Sequence, residues 1–253
     1  MPLMFPTIIP AGQSYVRIPR SKRAAMRVVL ETVERGSRYW IGGTIPAGKA
    51  EQFAHKMARR YHTDASQATR ARRKAKGKAN ASLVMYPEDA TTLRYWLLVT
   101  PGKGAVHEQE KLLDTWKARE ALTWGEQYRL DHTQRTKQQG GGRRWTWSVQ
   151  PERYMELESS MRRYAAGHGS GRDRTDDLDA LVLALQRMPG FSGIRSQQIF
   201  LCNIGRAIWQ KTHQGVEYPW PHFPYLDKAW PCYHAPEPLR LDVLLTIMGR
   251  DLV

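Results

Sequence analysis

Along residues 38–134 the spacing of apolar side chains changes repeatedly between the period of a strand and that of a helix, and the order of the changes restricts the fold more than any single motif. The stretch RYWIGGTI at 38–45 predicts a strand. After Pro46, residues Ala50, Phe53, Ala54, Met57, Ala58 and Tyr61 recur at one-face helical spacing, which predicts a helix with Glu51, His55, Arg59 and His62 turned to solvent. Two strands follow at 81–86 and 93–100, joined by the turn PEDAT, then a helix over about 106–117 and a strand at 128–134. Strand, helix, strand, strand, helix, strand is the split βαβ order. It predicts an α+β fold of the ferredoxin-like kind, the plan that RNA-recognition domains use.

The flanking segments extend this frame. Residues 21–36 read as a helix, with Ser21 as its cap, Ala24, Ala25, Val28 and Val29 as its apolar set, and Gly36 at its end. A strand at 144–149 pairs by pattern with 128–134 across the loop QQGGG at 138–142. Helices are expected at 151–166, 175–188 and 193–212, and the proline and aromatic run after Gly215 excludes regular helix. The predicted organisation is therefore a first domain at 1–150 and a mainly helical part at 151–253, with a basic helical finger at about 47–80 inside the first.

Charge says what such a chain faces. Thirty-nine Lys and Arg stand against 24 Asp and Glu, and of the resulting +15 the first 80 residues carry +13. A polyanion is the expected partner of that end. Between residues 70 and 78 stand Arg70, Arg72, Arg73, Lys74, Lys76 and Lys78 among alanines, with no acidic residue at i, i+4 to neutralise them and no apolar face to bury. This finger is expected to project and to contact phosphates. A second basic group comprises Arg17, Arg20, Lys22, Arg23, Arg27, Arg35 and Arg38, and Lys49 and Arg59 add cations along the next helix. Two cysteines, Cys202 and Cys232, exclude a disulfide framework and a four-thiolate zinc site. The uncharged start at 1–16 lacks the basic region of a signal peptide, and nothing approaches a membrane span, so a cytoplasmic protein with no membrane partner is expected.

Several motifs invite chemistry that their residues do not complete. Gly43 to Ala50 fits the phosphate loop G-x-x-x-x-G-K until its last position, where Ala50 has no oxygen for magnesium; Lys49 and the amides of a helix start remain able to hold one phosphate. Asp173, Asp176, Asp177 and Asp179 open a predicted helix, where carboxylates complement the macrodipole. His107-Glu-Gln-Glu-Lys111 has Lys111 where a zinc helix needs its second histidine. No metal and no cofactor are expected. Tyr95, Trp96, Trp145 and Trp147 are candidates to stack bases, although alternation turns about half of them inward.

The segments RGSRYWIGGTIPAGKAEQF, KGKANASLVMYPE, LRYWLLVTPG and RRWTWSVQPERY, within the first 165 residues, resemble the CRISPR-RNA-processing endoribonucleases of type IV systems, members of the RAMP superfamily. The resemblance implies a RAMP-type ferredoxin-like domain, a degenerate RAMP-like second half, and metal-independent cleavage of precursor CRISPR RNA by a 2′-hydroxyl. It implies retention of the repeat hairpin and assembly with the other subunits of a type IV ribonucleoprotein. Arg23 and Arg38 look like the residues that grip the scissile phosphate, with Arg240 a third candidate. Arg20, Lys22, Arg27, Lys49 and Arg59 would join the finger cations in holding RNA. The glycine clusters at 138–142 and 167–171 do not match the C-terminal glycine loop common in the superfamily, so catalysis is not mapped onto the second half. Two other readings stay open: a non-catalytic RNA-binding subunit, and a plasmid DNA-binding protein using 193–212 as its groove helix.

Overall fold

The computed structural model describes residues 17–19, 21–134, 140–167, 176–213, 215–223, 239–241 and 243–245, and the chain divides into two units. The first runs to Asp114 and takes in the segment around 239–245; the second begins at Thr115. The fold is α+β and its sheets are antiparallel.

In the first unit, β1 (Arg17–Ile18) leads into α1 (Lys22–Glu34). The Ser21 hydroxyl accepts from the Ala24 amide at 3.1 Å, which starts the helix, and Ala25, Met26, Val29 and Val33 form its buried stripe. β2 (Tyr39–Pro46) runs without a loop into α2 (Ala47–Tyr61), which buries Ala50, Ala54, Met57 and Tyr61 at the expected spacing. His62, in the left-handed conformation, ends it. Then come α3 (Gln67–Ala75), the hairpin of β3 (Ala81–Pro87) and β4 (Thr92–Val99), the short α4 (Ala105–Gln109) and the two-residue β5 (Leu113–Asp114). The sheet order is β3-β4-β2-β5, and β2 meets β5 only at Tyr39 and Trp40.

The sequence pattern assigned 106–117 to a helix and 128–134 to the last strand of this sheet. The helix stops early because Val106 is its one buried residue, and the adjacent leucines 112 and 113 suit an extended chain, so the edge position falls to β5.

Both faces of the sheet are covered. Leu83, Met85, Leu93, Tyr95, Leu97 and Val99 pack with Ala50, Phe53, Ala54, Met57 and Tyr61 of α2, and Ile18, Leu241 and Leu244 close one end of that core. By alternation Trp40, Val84, Trp96 and Leu98 point the other way, and all four are buried, Trp96 at 1% exposure. α1 packs on β3 and β4, and its Lys22 lies beside Tyr86 and Arg94 of that second face. An open sheet face of the kind that RNA-recognition domains present to bases is absent from the described residues of this unit.

The second unit holds β6 (Thr123–Trp124), β7 (Tyr128–Gln134) and β8 (Arg143–Val149) in that order, followed by α5 (Pro151–Ala165), α6 (Asp176–Gln186) and α7 (Ser192–Thr212). These elements match the expected strand pair and three helices. The unit boundary falls at 114/115, not at 150/151, because β7 and β8 pair with each other and β8 is packed by α7. Gly193 permits that packing: a Cβ there would stand 2.6 Å from both the Ser148 hydroxyl and the Trp147 carbonyl.

Candidate nucleic-acid interface

The cation run of α3 separates by contact into two kinds of side chain. Arg70 is half-buried and donates from Nε to the Ala65 carbonyl (2.9 Å), from Nη1 to the Ala81 carbonyl (2.9 Å) and the Ser82 hydroxyl (2.8 Å), and from Nη2 to the Thr63 carbonyl (2.7 Å). Burial lowers its pKa. Arg73 donates to the Ala79 carbonyl at 2.8 Å, and Asn80 donates to the Arg70 carbonyl at 3.0 Å. The projecting finger expected at 47–80 is therefore not what forms. Residues 47–61 pack on the sheet as α2, and α3 is pinned to the start of β3 through Arg70 and Arg73. Arg72, Lys74, Lys76 and Lys78 are exposed, and among the described residues none makes an ion pair.

A fifth cation joins them from a loop. The Lys103 amide donates to the Gly77 carbonyl, and the Ala79 amide donates to the Lys103 carbonyl, both at 2.9 Å, which sets Lys103 beside Lys78. Gly102 makes this approach possible. Its φ is +134°, and a Cβ would lie 2.7 Å from the Ala79 nitrogen. Arg72, Lys74, Lys76, Lys78 and Lys103 thus gather at one end of the unit with no acidic side chain paired to them among the described residues.

Arg38 stands at that same end, since Tyr39 is in register with Val99 and Val99 with Ala81. Its Nε and Nη2 donate to both oxygens of Asp114, at 3.0 and 2.6 Å in the closest contacts. The hydrogen bonds to Asp114 raise its pKa. Asp114 is 8% exposed and the guanidinium side chain 44%, so the carboxylate fixes the plane of a cation that still meets solvent. The guanidinium carbon lies 5.5 Å from the centre of the Tyr39 ring, and the His107 ring meets Tyr39 edge-on at 5.0 Å. His107 Nε2 is 3.0 Å from the Thr100 carbonyl. A carbonyl only accepts, so Nε2 carries the proton and Nδ1 is the basic nitrogen.

The other expected residues lie elsewhere. Arg23, half-buried in the first turn of α1, is separated from Arg38 by the length of that helix, about 16 Å of rise. Lys22 is packed beside Arg94 and Glu88 at the β3–β4 hairpin, and burial lowers its pKa, with Arg94 adding to the effect. Arg27 is committed to Glu31 at 2.9 Å. Arg240, in β9 (Leu239–Arg240), pairs its main chain with Arg17, next to the core that holds Met85 and Leu93, so it belongs to the hairpin end as well. Arg23, Arg38 and Arg240 are thus not brought together. Arg20, Asp173 and Cys232 lie outside the described residues.

Along α2, Lys49 and Arg59 are exposed as expected, and Lys56 and Arg60 line the same shallow groove with Gln52 and His55. The phosphate-loop pattern has no loop to form: Gly43 and Pro46 are in the strand, and the Ala47 amide is taken by the Thr91 carbonyl at 2.7 Å. Trp96, Trp145 and Trp147 are buried, and Tyr95 packs on Phe53. Asp176, Asp177 and Asp179 occupy the first turn of α6, as the dipole reading expects, and Asp179 accepts from the Tyr218 hydroxyl. Among the described residues no group of three or more His, Cys, Asp or Glu is placed to hold a metal. α7 buries Ile194, Gln198, Leu201, Cys202 and Trp209 and seats its first turn on β8. Among the described residues no helix is long and apolar enough to cross a membrane.

Residue patterns had not singled out Lys103, Asp114 or the contact of His107 with Tyr39, the ring that Arg38 also touches. The glycine-flanked loop PGKG at 101–104 was the one available signal for Lys103. No family model, no curated protein and no solved structure matches this chain.

Proposed function

We propose that this chain holds the hairpin of a CRISPR repeat at the α3 end of its first unit, cleaves the precursor RNA there, and keeps the product within a type IV ribonucleoprotein. The observation that carries the RNA reading is the gathering of Arg72, Lys74, Lys76, Lys78 and Lys103, exposed and without acidic partners among the described residues, at one end of a folded unit. Such a cluster repels itself and is favoured by a bound polyanion. The strand order β3-β4-β2-β5 supports the ferredoxin-like assignment, with α2 and the short α4 as its two crossing helices.

In the proposed reaction the 2′-oxygen bonds to the adjacent phosphorus and the bond from phosphorus to the 5′-oxygen breaks. The products are a 2′,3′-cyclic phosphate and a 5′-hydroxyl. Arg38, its plane set by Asp114, faces the charge that develops on the phosphoryl oxygens. His107 Nδ1 is the acceptor for the 2′-hydroxyl proton, and water supplies a proton to the departing oxygen. Arg23 and Arg240, at the hairpin end, are assigned to RNA positioning and not to this step.

The test is incubation of the protein with a repeat hairpin in EDTA. Cyclic-phosphate ends, lost when the scissile 2′-hydroxyl is replaced by hydrogen, support the proposal. Cleavage that requires magnesium or survives 2′-deoxy substitution rejects it. One observation favours a non-catalytic RNA-binding subunit instead: Asp114 already takes the Nε–Nη2 edge of the Arg38 guanidinium. Tight, salt-sensitive hairpin binding with no strand break is the outcome that reading expects.

A further inference from the structure

The second unit carries an aromatic arrangement that the strand pattern did not reveal. His132 and Trp145 are in direct register across β7 and β8, and their rings stack with centres 4.7 Å apart and planes at 22°. Trp116 stands nearly perpendicular to both, 4.8 Å from His132 and 5.6 Å from Trp145. A ring perpendicular to a stacked pair and almost equidistant from its two members lies along the side of the stack. At those separations and angles both contacts are edge-to-face, and together they hold Trp116 against the pair. It nevertheless stays 56% exposed, a large apolar surface held in a fixed orientation.

On the same sheet face the neighbours one step inward, Leu130 and Trp147, are buried, and those one step outward are polar. Gln134 and Arg143 pair in register one step along from His132 and Trp145, two residues away on each strand and therefore on the same side. Arg143 is exposed. Burial lowers the His132 pKa and Arg143 lowers it further, so the imidazole stays neutral and supports Trp116 as an aromatic ring. His132 Nδ1 is buried with no hydrogen-bond partner, so that nitrogen adds no bond to the fold.

We infer that the outward face of Trp116 is a stacking site for one unpaired RNA base, with Arg143 beside it for the phosphate of that nucleotide. An aromatic face next to a cation suits a nucleotide, which presents a π surface and a negative charge within one residue. The inference rests on the RNA reading given above, but it concerns single-stranded RNA and a different unit from the hairpin-binding cations.

The test uses the full chain and two RNAs, a blunt repeat hairpin and the same hairpin with a single-stranded tail carrying 2-aminopurine. The tail is expected to tighten binding about tenfold, with a change in 2-aminopurine fluorescence on stacking. Trp116→Ala should abolish that advantage and the fluorescence change while leaving blunt-hairpin affinity alone. Trp116→Phe, which keeps an aromatic face, should retain most of both, and Arg143→Gln should lose part of the affinity for the tail. If the wild type binds both RNAs equally, or if Trp116→Ala and Trp116→Phe keep the full tail advantage, the stacking site is refuted while the hairpin reading stands. If the wild type binds neither RNA at low salt, the RNA reading itself falls, and the stacking site with it.

Discussion

Arg70 and Arg72 are two residues apart in one basic run, and the structure predicts opposite consequences for losing them. Replacing Arg70 by Ala removes four hydrogen bonds that tie α3 to Thr63, Ala65, Ala81 and Ser82. Hydrogen bonds from a charged donor contribute about 1.5–3 kcal/mol each, but these acceptors are only partly buried and regain water, so about 1 kcal/mol each is the better figure. The expected loss is about 4 kcal/mol, or a fall in Tm of about 8–16 °C. Arg72→Ala, at an exposed position, should change stability by no more than about 0.5 kcal/mol. It should instead lower the slope of log affinity for an RNA hairpin against log salt by about 0.7–0.9. Thermal melts and salt titrations on the two variants decide the matter. An Arg70→Ala protein that melts like the wild type yet loses hairpin affinity as Arg72→Ala does would refute the division of the run into structural and phosphate-facing cations.

Gly102→Ala should destabilise the first unit by about 1–3 kcal/mol, because φ at +134° is strained for alanine and its Cβ meets the Ala79 nitrogen; the melt should shift and hairpin affinity should fall as Lys103 is displaced from Lys78. His107→Gln should slow cleavage by about 10²–10⁴-fold with hairpin affinity retained, measured under single-turnover conditions; equal cleavage rates would remove His107 from the reaction. Asp114→Asn should slow cleavage too, since Arg38 loses the carboxylate that sets its plane, and it should lower Tm as well. Burial, with the hydrogen bond to Glu110 added, pushes the Tyr61 hydroxyl up to about 12, so the folded protein keeps a proton that the unfolded chain loses near pH 10. Its contribution to stability is therefore complete below pH 10 and lost as pH rises to 12, and urea melts at pH 8 and pH 11.5 should show a smaller alkaline loss for Tyr61→Phe than for the wild type.

What the sequence disclosed follows from how local each feature is. α2 was legible because its buried residues recur on one face within 15 residues, and the β3–β4 hairpin because its turn lies between two apolar runs. β5 was not legible: two residues carry no period, and its partner Tyr39 is far back in the chain. The strand at 128–134 was recognised as a strand but given to the other sheet, since pairing is a long-range property that periodicity does not encode. Composition gives Arg70 and Arg72 equal weight, and only the positions of four acceptors outside α3 separate them. Arg38 was identified without Asp114, which sits 76 residues later. The covered second face of the sheet was equally hidden, because Trp40 and Trp96 read alike whether a helix or an RNA base lies over them.

The most direct test of the account is the salt dependence of hairpin binding by a variant carrying Arg72→Gln, Lys74→Gln, Lys76→Gln and Lys78→Gln together. All four positions are exposed, so its melt should match that of the wild type. With four phosphate contacts removed, the slope of log affinity against log salt should flatten by about 3–4. A variant that melts normally and keeps the wild-type slope would contradict the claim that the α3 end of the first unit holds the RNA.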